Sequence, residues 1–394
     1  MTMNAAKVEA TVDGGQGYGH IPCTAPMWAE VHPEHLRHNL LEIRRRLRPG
    51  VKFMAVVKAN GYGHGLVPTA AVLAEAGADA FGVGTCEEGV RLREAGIRQP
   101  ILVLGPIHPA QADTAAESDL EVTVFQASWF AEMRKHRISA KPLRVHIKMD
   151  TGMGRYGLRE RAEFEEMVPH LREMDIEVVG VFTHLATANQ ADDGYVRRQF
   201  ALFQTMRRWV EEAGLGRVTA HCANSAAAIR YPELALDMVR VGASLYGILP
   251  IDRDVVEKQP LDVGLLPTIS VRTVISHVKR VEAGQSVGYD RAYQTVEEEW
   301  IATVPVGYAN GWFRGYSGCS VIVAGERAPI VAICMNQMMI RLPRPVPVGT
   351  PVTLLGVDGQ ERVLPDELAA HIGSIPQQVL VMLPERLPRM YRDA

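Results

Sequence analysis

The sequence predicts a (β/α)₈ barrel followed by a smaller, mostly antiparallel β domain. Eight short apolar, β-branched segments alternate with stretches of helical pattern between residues 51 and 245. Nearly continuous apolar strands that alternate with helices indicate parallel pairing buried on both faces. After about residue 262 the pattern changes to short alternating segments separated by turn residues, which is typical of an antiparallel sheet.

The eight predicted barrel strands organise the first part of the chain. They are residues 51–58, 80–84, 101–104, 120–125, 143–150, 177–184, 219–224 and 238–245. Helical patterns fill the gaps, for instance over residues 159–174 and 195–213, and Gly214 ends the second of these. Eight such units favour a closed barrel with its chemistry at the carboxyl ends of the strands. An open, doubly wound sheet has the same pattern and is the alternative fold.

These patterns divide the chain into three parts. Residues 1–25 hold a glycine-rich run and no apolar segment. We therefore expect them to form a flexible tail rather than a signal peptide. We expect the barrel over residues 26–262 and the C-terminal β domain over residues 263–394.

The composition excludes several classes of protein. Forty-two Lys and Arg residues against 45 Asp and Glu residues give a formal net charge of −3, which disfavours nucleic acid or an anionic membrane as a partner. No segment approaches the ~18 consecutive apolar residues of a membrane span. The five cysteines are scattered and form no CxxC pair, so we expect free thiols, no metal site and a reducing compartment such as the cytosol.

Lys58 stands at the end of the first predicted barrel strand. A lysine that follows an apolar strand is poorly solvated, and desolvation lowers its pKa and frees the amine to form an imine with a carbonyl group. The glycines that follow it allow close approach of the backbone, and Tyr62 offers a hydroxyl. A surface lysine before a glycine-rich turn would give the same spacing.

The segment VVKANGYGHG, residues 56–65, resembles the lysine signature of the alanine racemase family, and the resemblance continues over residues 26–392. It implies an amino-acid racemase with alanine as the default substrate and pyridoxal 5′-phosphate (PLP) as the cofactor. It also implies that Lys58 bonds covalently to PLP, and that two copies of the chain form a homodimer with shared active sites.

Two later strand ends also match the family. The segment HIKMDTGMGR, residues 146–155, implies that Arg155 binds the substrate carboxylate. It further implies that Lys148 is a lysine that is often carbamylated and then orients the arginine. His184 resembles the histidine beside the cofactor ring. From the residues alone, Lys148 and Arg155 could form a solvated edge, and His184 could be a core residue.

The seventh and eighth strands carry the expected phosphate and ring contacts. Ser225 follows a strand and precedes a helix, where it could hold a phosphate or only cap the helix. The resemblance places the backbone N–H groups of Gly242 and Ala243 on the phosphate and Arg240 on the pyridine nitrogen. An arginine stays protonated, so it donates a hydrogen bond there without giving up a proton.

The β domain supplies the second half of the expected site. Racemisation removes a proton from one face of Cα and delivers one to the other, and two fixed bases do this more simply than one mobile base. The resemblance assigns Lys58 to one face and Tyr289, from the second subunit, to the other. Tyr308 matches a second tyrosine of the site, and Met335 matches a residue whose N–H meets the substrate carboxylate.

Four positions depart from the family pattern. Asn189 and Ala332 stand where the family commonly has an Asp and an Arg that pair across the substrate corridor. Asn336 replaces an Asp, and Gln377 takes the place of a Tyr near the phosphate. The catalytic set is intact, whereas the corridor is altered, so serine or a broader set of amino acids could join alanine as substrates.

Two other classes of protein share parts of the pattern. A PLP-dependent decarboxylase of basic amino acids has the same two-domain plan, but the sequence lacks the substrate-binding cysteine motif expected near its C-terminus. A non-catalytic PLP-binding protein uses a similar lysine-bearing barrel, but it lacks the second domain and its tyrosine. The reaction product distinguishes the three: a D-amino acid, an amine with CO₂, or nothing.

Overall fold

The computed structural model describes residues 25–258 and 261–392. After a first strand, β1 (Trp28–Val31), the chain forms eight parallel strands: β2 (Lys52–Val56), β3 (Ala80–Val83), β4 (Ile101–Val103), β5 (Glu121–Val124), β6 (Leu143–Lys148), β7 (Ile176–Phe182), β8 (Thr219–His221) and β9 (Met238–Val241). Their order is β8-β7-β6-β5-β4-β3-β2-β9. Hydrogen bonds from Asp237 N–H to Ala220 O (3.1 Å) and from Arg240 N–H to Ala223 O (2.9 Å) bridge the β8–β9 seam. The predicted barrel is confirmed.

Helices connect the strands and cover the outside of the barrel, except that the element Lys58–Tyr62 is a short left-handed turn at the strand ends. They are α1 (Pro33–Arg44), α2 (Lys58–Tyr62), α3 (Leu66–Glu75), α4 (Cys86–Glu94), α5 (Ala112–Glu117), α6 (Ala127–Met133), α7 (Arg161–Leu171), α8 (Gly194–Glu212), α9 (Ser225–Arg230) and α10 (Arg253–Lys258), with α11 (Pro365–His371) and α12 (Pro376–Val381) in the second part of the chain. Helix α8 buries Val196, Phe203, Met206 and Val210, which recur at helical spacing. It ends before Gly214, whose φ is 65°, as the sequence predicts.

The second sheet is mostly antiparallel, which confirms the prediction for this part of the fold. Its strands are β10 (Ile269–Val274), β11 (His277–Val281), β14 (Glu299–Val304), β15 (Ser320–Val323), β16 (Glu326–Ile333), β17 (Met338–Leu342), β18 (Pro351–Asp358), β19 (Glu361–Val363) and β20 (Arg389–Tyr391), and β12 (Ser286–Val287) pairs separately with β13 (Tyr293–Gln294). Strand β1 pairs with β10 and β20. The sheet therefore takes strands from both ends of the described chain.

The interior of the barrel has an apolar part and a polar part. Met54, Ala80, Leu102 and Met238 form one small apolar cluster. The buried polar side chains lie on strands β5, β6, β8 and β9, and they include Glu121, His146, Lys148, His221 and Arg240. Buried polar groups require hydrogen-bond partners, so this half of the barrel is suited to a specific site.

The remaining predictions concern cysteines, membranes and the domain limits. Cys86, Cys222, Cys319 and Cys334 are free thiols, whereas Cys23 and the predicted flexible tail, apart from residue 25, lie outside the described residues. In the described ranges, no helix is both long and apolar enough to cross a membrane. The domain limits at residues 26, 262 and 263 stay predictions.

Candidate active site

A cavity of about 680 Å³ opens at the carboxyl ends of the barrel strands. It brings together most of the residues that the sequence singles out. Its lining includes Lys58, Tyr62, Lys148, Arg155, His184, Asn189, Ser225, Arg240, Gly242, Ala243 and Gln377. The location agrees with the rule that barrels of this type carry chemistry at this face.

A left-handed turn places Lys58 at the mouth of the barrel. Strand β2 ends at Val56, and Ala59, Asn60, Gly61 and Tyr62 all have φ between 50° and 61°. This conformation is costly for residues other than glycine, so other contacts must hold it. Glu88 does so, because its carboxylate accepts hydrogen bonds from Asn60 N–H (3.1 Å) and Gly84 N–H (2.8 Å).

The C-terminal strand holds the same loop from the other side. Arg389 donates from Nε to Gly63 O (2.7 Å), and the Tyr391 hydroxyl donates to His64 O (2.6 Å). Gly63 has φ of 82°, and a Cβ there would overlap the carbonyl oxygen of Leu380. Only glycine therefore fits the point where this loop meets the second domain.

Lys58 is prepared to act as a nucleophile or a base. Burial lowers the pKa of its amine, and the positive charges of Arg155 and Arg240 lower it further, while Glu88 raises it. The fraction of unprotonated amine at neutral pH is therefore larger than for a lysine in water.

Ser225, Gly242 and Tyr62 form a small cradle in the cavity. Gly242 N–H donates to Ser225 Oγ at 2.9 Å, and a Cβ on residue 242 would lie 2.6 Å from the Tyr62 hydroxyl oxygen. Burial raises the pKa of Tyr62 to about 12, so its hydroxyl stays protonated. The cradle therefore offers hydrogen-bond donors, which suit a phosphate group.

Arg240 and His184 form a polar contact beside the cavity. Arg240 Nη2 donates to Thr183 O (2.8 Å) and lies 3.2 Å from His184 Nδ1. Burial lowers the pKa of Arg240 to about 10, so the guanidinium stays charged at neutral pH. Burial, and then the charge of Arg240, lowers the pKa of His184 well below its usual value. His184 is therefore a neutral imidazole that accepts from Arg240.

Lys148 is a buried lysine among cations. Its side chain is 6% exposed, and Nζ lies 4.2 Å from the centroid of the Phe182 ring. Burial, followed by the charges of Arg240 and Arg155, lowers the pKa of this amine well below its usual value. Within the described ranges it forms no ion pair with a carboxylate, so the neutral amine is favoured.

Several predicted residues lie outside this cavity. Tyr289, Tyr308 and Met335 are 72%, 46% and 55% exposed on the second domain of the same chain. Asn336 is also exposed, and Ala332 is buried in β16 next to Gly288. A single chain therefore gathers the Lys58 half of the predicted site but not the Tyr289 half.

Sequence reasoning missed Asp252, Glu88 and Glu121. Asp252 lines the cavity and pairs with Asn189, Glu88 holds the Lys58 loop, and Glu121 is buried in β5. The sequence did contain a signal for Glu121, because it is the one ionisable residue of the predicted strand 120–125. No local pattern points to the other two.

Comparisons with known proteins cover nearly the whole chain. The family models for the N-terminal and C-terminal domains of alanine racemase match residues 31–250 and 268–391. The alanine racemase of Geobacillus kaustophilus is 40% identical over 366 residues, 92% of this chain and 94% of that protein. Two solved structures are also similar. Alanine racemase from Bacillus anthracis with bound L-Ala-P has a TM-score of 0.90 and 38% identity, and the match covers 94% of this chain and 96% of that chain. Histidine racemase from Leuconostoc mesenteroides has a TM-score of 0.86 and 29% identity, and the match covers 96% of this chain and 100% of that chain. This chain belongs to the alanine racemase family.

Proposed function

We propose that this protein interconverts L- and D-alanine with PLP as its cofactor. One observation carries the proposal: Lys58, whose pKa is lowered by burial, shares one cavity with the cation of Arg155 and with the Ser225–Gly242 cradle. An amine, a carboxylate-binding cation and a phosphate cradle are the three groups that an amino-acid racemase of this cofactor class requires.

The residues of the cavity fit PLP. Lys58 would hold its carbonyl carbon, and Tyr62, Ser225, Gly242 and Ala243 would hold its phosphate. Arg240 would donate a hydrogen bond to the ring nitrogen, because its guanidinium is charged and donor-only. When bound, PLP withdraws electrons from the substrate Cα and thereby makes its proton acidic.

Arg155 and Lys58 have complementary tasks in this proposal. Arg155 lines the cavity and is exposed there, so its guanidinium could bind the substrate carboxylate. This would orient one face of Cα toward Lys58. Whenever Lys58 Nζ is not bonded to the cofactor, its unprotonated amine can take or return the proton on that face.

Tyr289 would serve the opposite face from a second subunit. The residue is 72% exposed on its own subunit and lies outside the cavity lining. A homodimer in which each second domain covers the partner's barrel would bring Tyr289, Tyr308 and Met335 to the other Lys58. A phenol is a weak base at neutral pH, so the cations of the cavity would have to assist this residue.

Chiral chromatography tests the proposed reaction. The PLP-loaded enzyme should convert L-alanine to an equal mixture of L- and D-alanine, and Lys58→Ala should abolish the conversion. Lys135→Ala, at an exposed lysine, is the matched control and should keep full activity. Borohydride reduction and peptide mapping should place the cofactor on Lys58. Release of an amine and CO₂, unchanged L-alanine, or labelling of another lysine would contradict the proposal.

A further inference from the structure

A chain of buried hydrogen bonds crosses the barrel behind the cavity. Glu121 Oε2 lies 2.9 Å from His146 Nε2, His146 Nδ1 lies 2.9 Å from His221 Nε2, and His221 Nδ1 lies 3.0 Å from Arg240 Nη1. These residues come from β5, β6, β8 and β9, and none is more than 5% exposed. The proposed reaction uses only Arg240 among them.

The two ends of the chain fix its direction. Arg240 only donates, so His221 Nδ1 must accept and His221 must carry its hydrogen on Nε2. That hydrogen then goes to His146 Nδ1, which leaves the hydrogen of His146 on Nε2 for Glu121. A carboxylate only accepts, so every donor meets an acceptor in this direction.

The charges agree with this assignment. Burial alone would raise the pKa of Glu121, but the hydrogen bond from His146 and the charge of Arg144, whose Nη2 lies 2.9 Å from Glu121 Oε1, lower it. Burial, and then the charge of Arg240, lowers the pKa of His221 well below its usual value. Glu121 is thus an anion, and His221 is a neutral ring with a free lone pair.

The opposite direction fails at Arg240. If His221 carried its hydrogen on Nδ1, two donors would face each other across 3.0 Å. Packing also holds the rings in place, because Phe182 stacks on His221 at 4.8 Å and a Cβ on Gly180 would overlap the His146 ring. Arg240 at one end and Glu121 at the other therefore favour the same direction, and Glu121 is the acceptor that keeps the hydrogen of His146 on Nε2.

We propose that Glu121 is a positioning residue for Arg240. Acting through His146 and His221, it selects the tautomers that present a lone pair to Arg240 and so holds the guanidinium toward the cofactor ring. Only the contact of Arg240 with the cofactor ring rests on the proposed function. The tautomers of His146 and His221 follow from the hydrogen bonds alone.

Nitrogen NMR of the ¹⁵N-histidine-labelled holoenzyme tests the tautomers directly. We expect both His146 and His221 to carry hydrogen on Nε2 only. Glu121→Gln keeps an acceptor oxygen and should keep this pattern. Glu121→Leu removes the acceptor and should give a changed or mixed tautomer at His146. A wild-type His221 with hydrogen on Nδ1, or on both nitrogens, would overturn the proposal even if the protein proved not to be a racemase.

Spectra of the bound cofactor and kinetics test the link to Arg240. Glu121→Leu should shift the absorption of bound PLP and lower kcat about tenfold, the loss expected when one charge-assisted hydrogen bond is weakened, with little change in KM. Gly180→Ala should displace His146 and act in the same way, which covers the case in which Glu121→Leu does not fold. Glu30→Leu is the matched control, since Glu30 is also a buried carboxylate, and it pairs with Arg272 in the second sheet. Unchanged tautomers and absorption in both Glu121→Leu and Gly180→Ala would refute the role.

Discussion

Asn189 and Asp252 hold each other by two hydrogen bonds at the edge of the cavity. Asn189 Nδ2 donates to Asp252 Oδ1 (2.7 Å), and Asp252 N–H donates to Asn189 O (3.0 Å). Because Asn189 is already satisfied by a residue of its own barrel, it has no need of an arginine at position 332. This edge of the cavity is held by hydrogen bonds between Asn189 and Asp252 rather than by the ion pair that the family pattern suggests.

We predict that this corridor admits amino acids larger than alanine. A small pocket separates substrates that differ by one methylene by only ~10–200-fold, so serine or a longer amino acid should be racemised with kcat/KM within ~100-fold of alanine. A panel of L-amino acids, scored by chiral chromatography, measures this ratio. Asn189→Asp is the companion variant: it would place two carboxylates 2.7 Å apart and should lower the melting temperature more at pH 8 than at pH 5. An enzyme that rejects everything except alanine would contradict the prediction.

The barrel strands could be predicted from the sequence, because burial dictates which residue types they contain. Parallel strands buried on both faces must be apolar, and the predicted and observed strands agree within a few residues, for instance over β3 and β4. The pairing of β1 with β10 and β20 could not be predicted from the sequence. Four residues, WAEV, carry no information about partners more than 200 positions away.

The candidate site was predictable where a motif or a strand end marks it. Lys58 and Arg155 are examples, and both line the cavity. Asp252 was not found, because its importance arises from Asn189, a neighbour that only the fold brings within hydrogen-bond distance. Glu121 stood out as an ionisable residue in a predicted strand, but its partner His146 could not be read from the sequence. The roles that the family pattern implies for the site residues stay predictions until they are measured.

Complementation between two inactive variants tests the shared site. Lys58→Ala and Tyr289→Phe each remove one of the two proposed bases, but a mixed dimer would contain one site with both native residues. Random exchange of subunits in a symmetric dimer should restore about a quarter of the wild-type activity. The measurement is activity after mixing and refolding, with each variant alone as the control. If subunit exchange is complete and no activity returns, the two residues do not share a site.

The pH dependence of cofactor loading should report the charge of Arg155. Burial is the largest cause of the lowered pKa of Lys58, and Arg155 is the next. Arg155→Gln removes a cation that disfavours the protonated amine, so the pKa of Lys58 should rise and half-maximal PLP incorporation should move to higher pH. Arg159→Gln, on the same loop and 67% exposed, is the control and should not move it. No shift, or a shift to lower pH, would count against this coupling.

Lys148 should react with carbon dioxide. Burial and the neighbouring Arg240 and Arg155 lower its pKa, so its neutral amine can form an N–C bond with CO₂ and release one proton. The resulting carbamate anion would lie among cations, which favours it. In ¹³C-bicarbonate buffer the protein should show a carbamate carbon signal that is lost in Lys148→Met.

The same lysine should make stability depend on pH when CO₂ is excluded. Its pKa is lower in the folded protein than in the unfolded chain, so between the two values the unfolded chain binds more protons and the free energy of unfolding rises with pH. Lys148→Met removes this group, and its melting temperature should rise less with pH than that of the wild type. The thermal unfolding of both proteins in CO₂-free buffers, from neutral to alkaline pH, gives the two slopes. Equal slopes would mean that Lys148 is protonated in the folded state, and the carbamate would then lose its chemical basis.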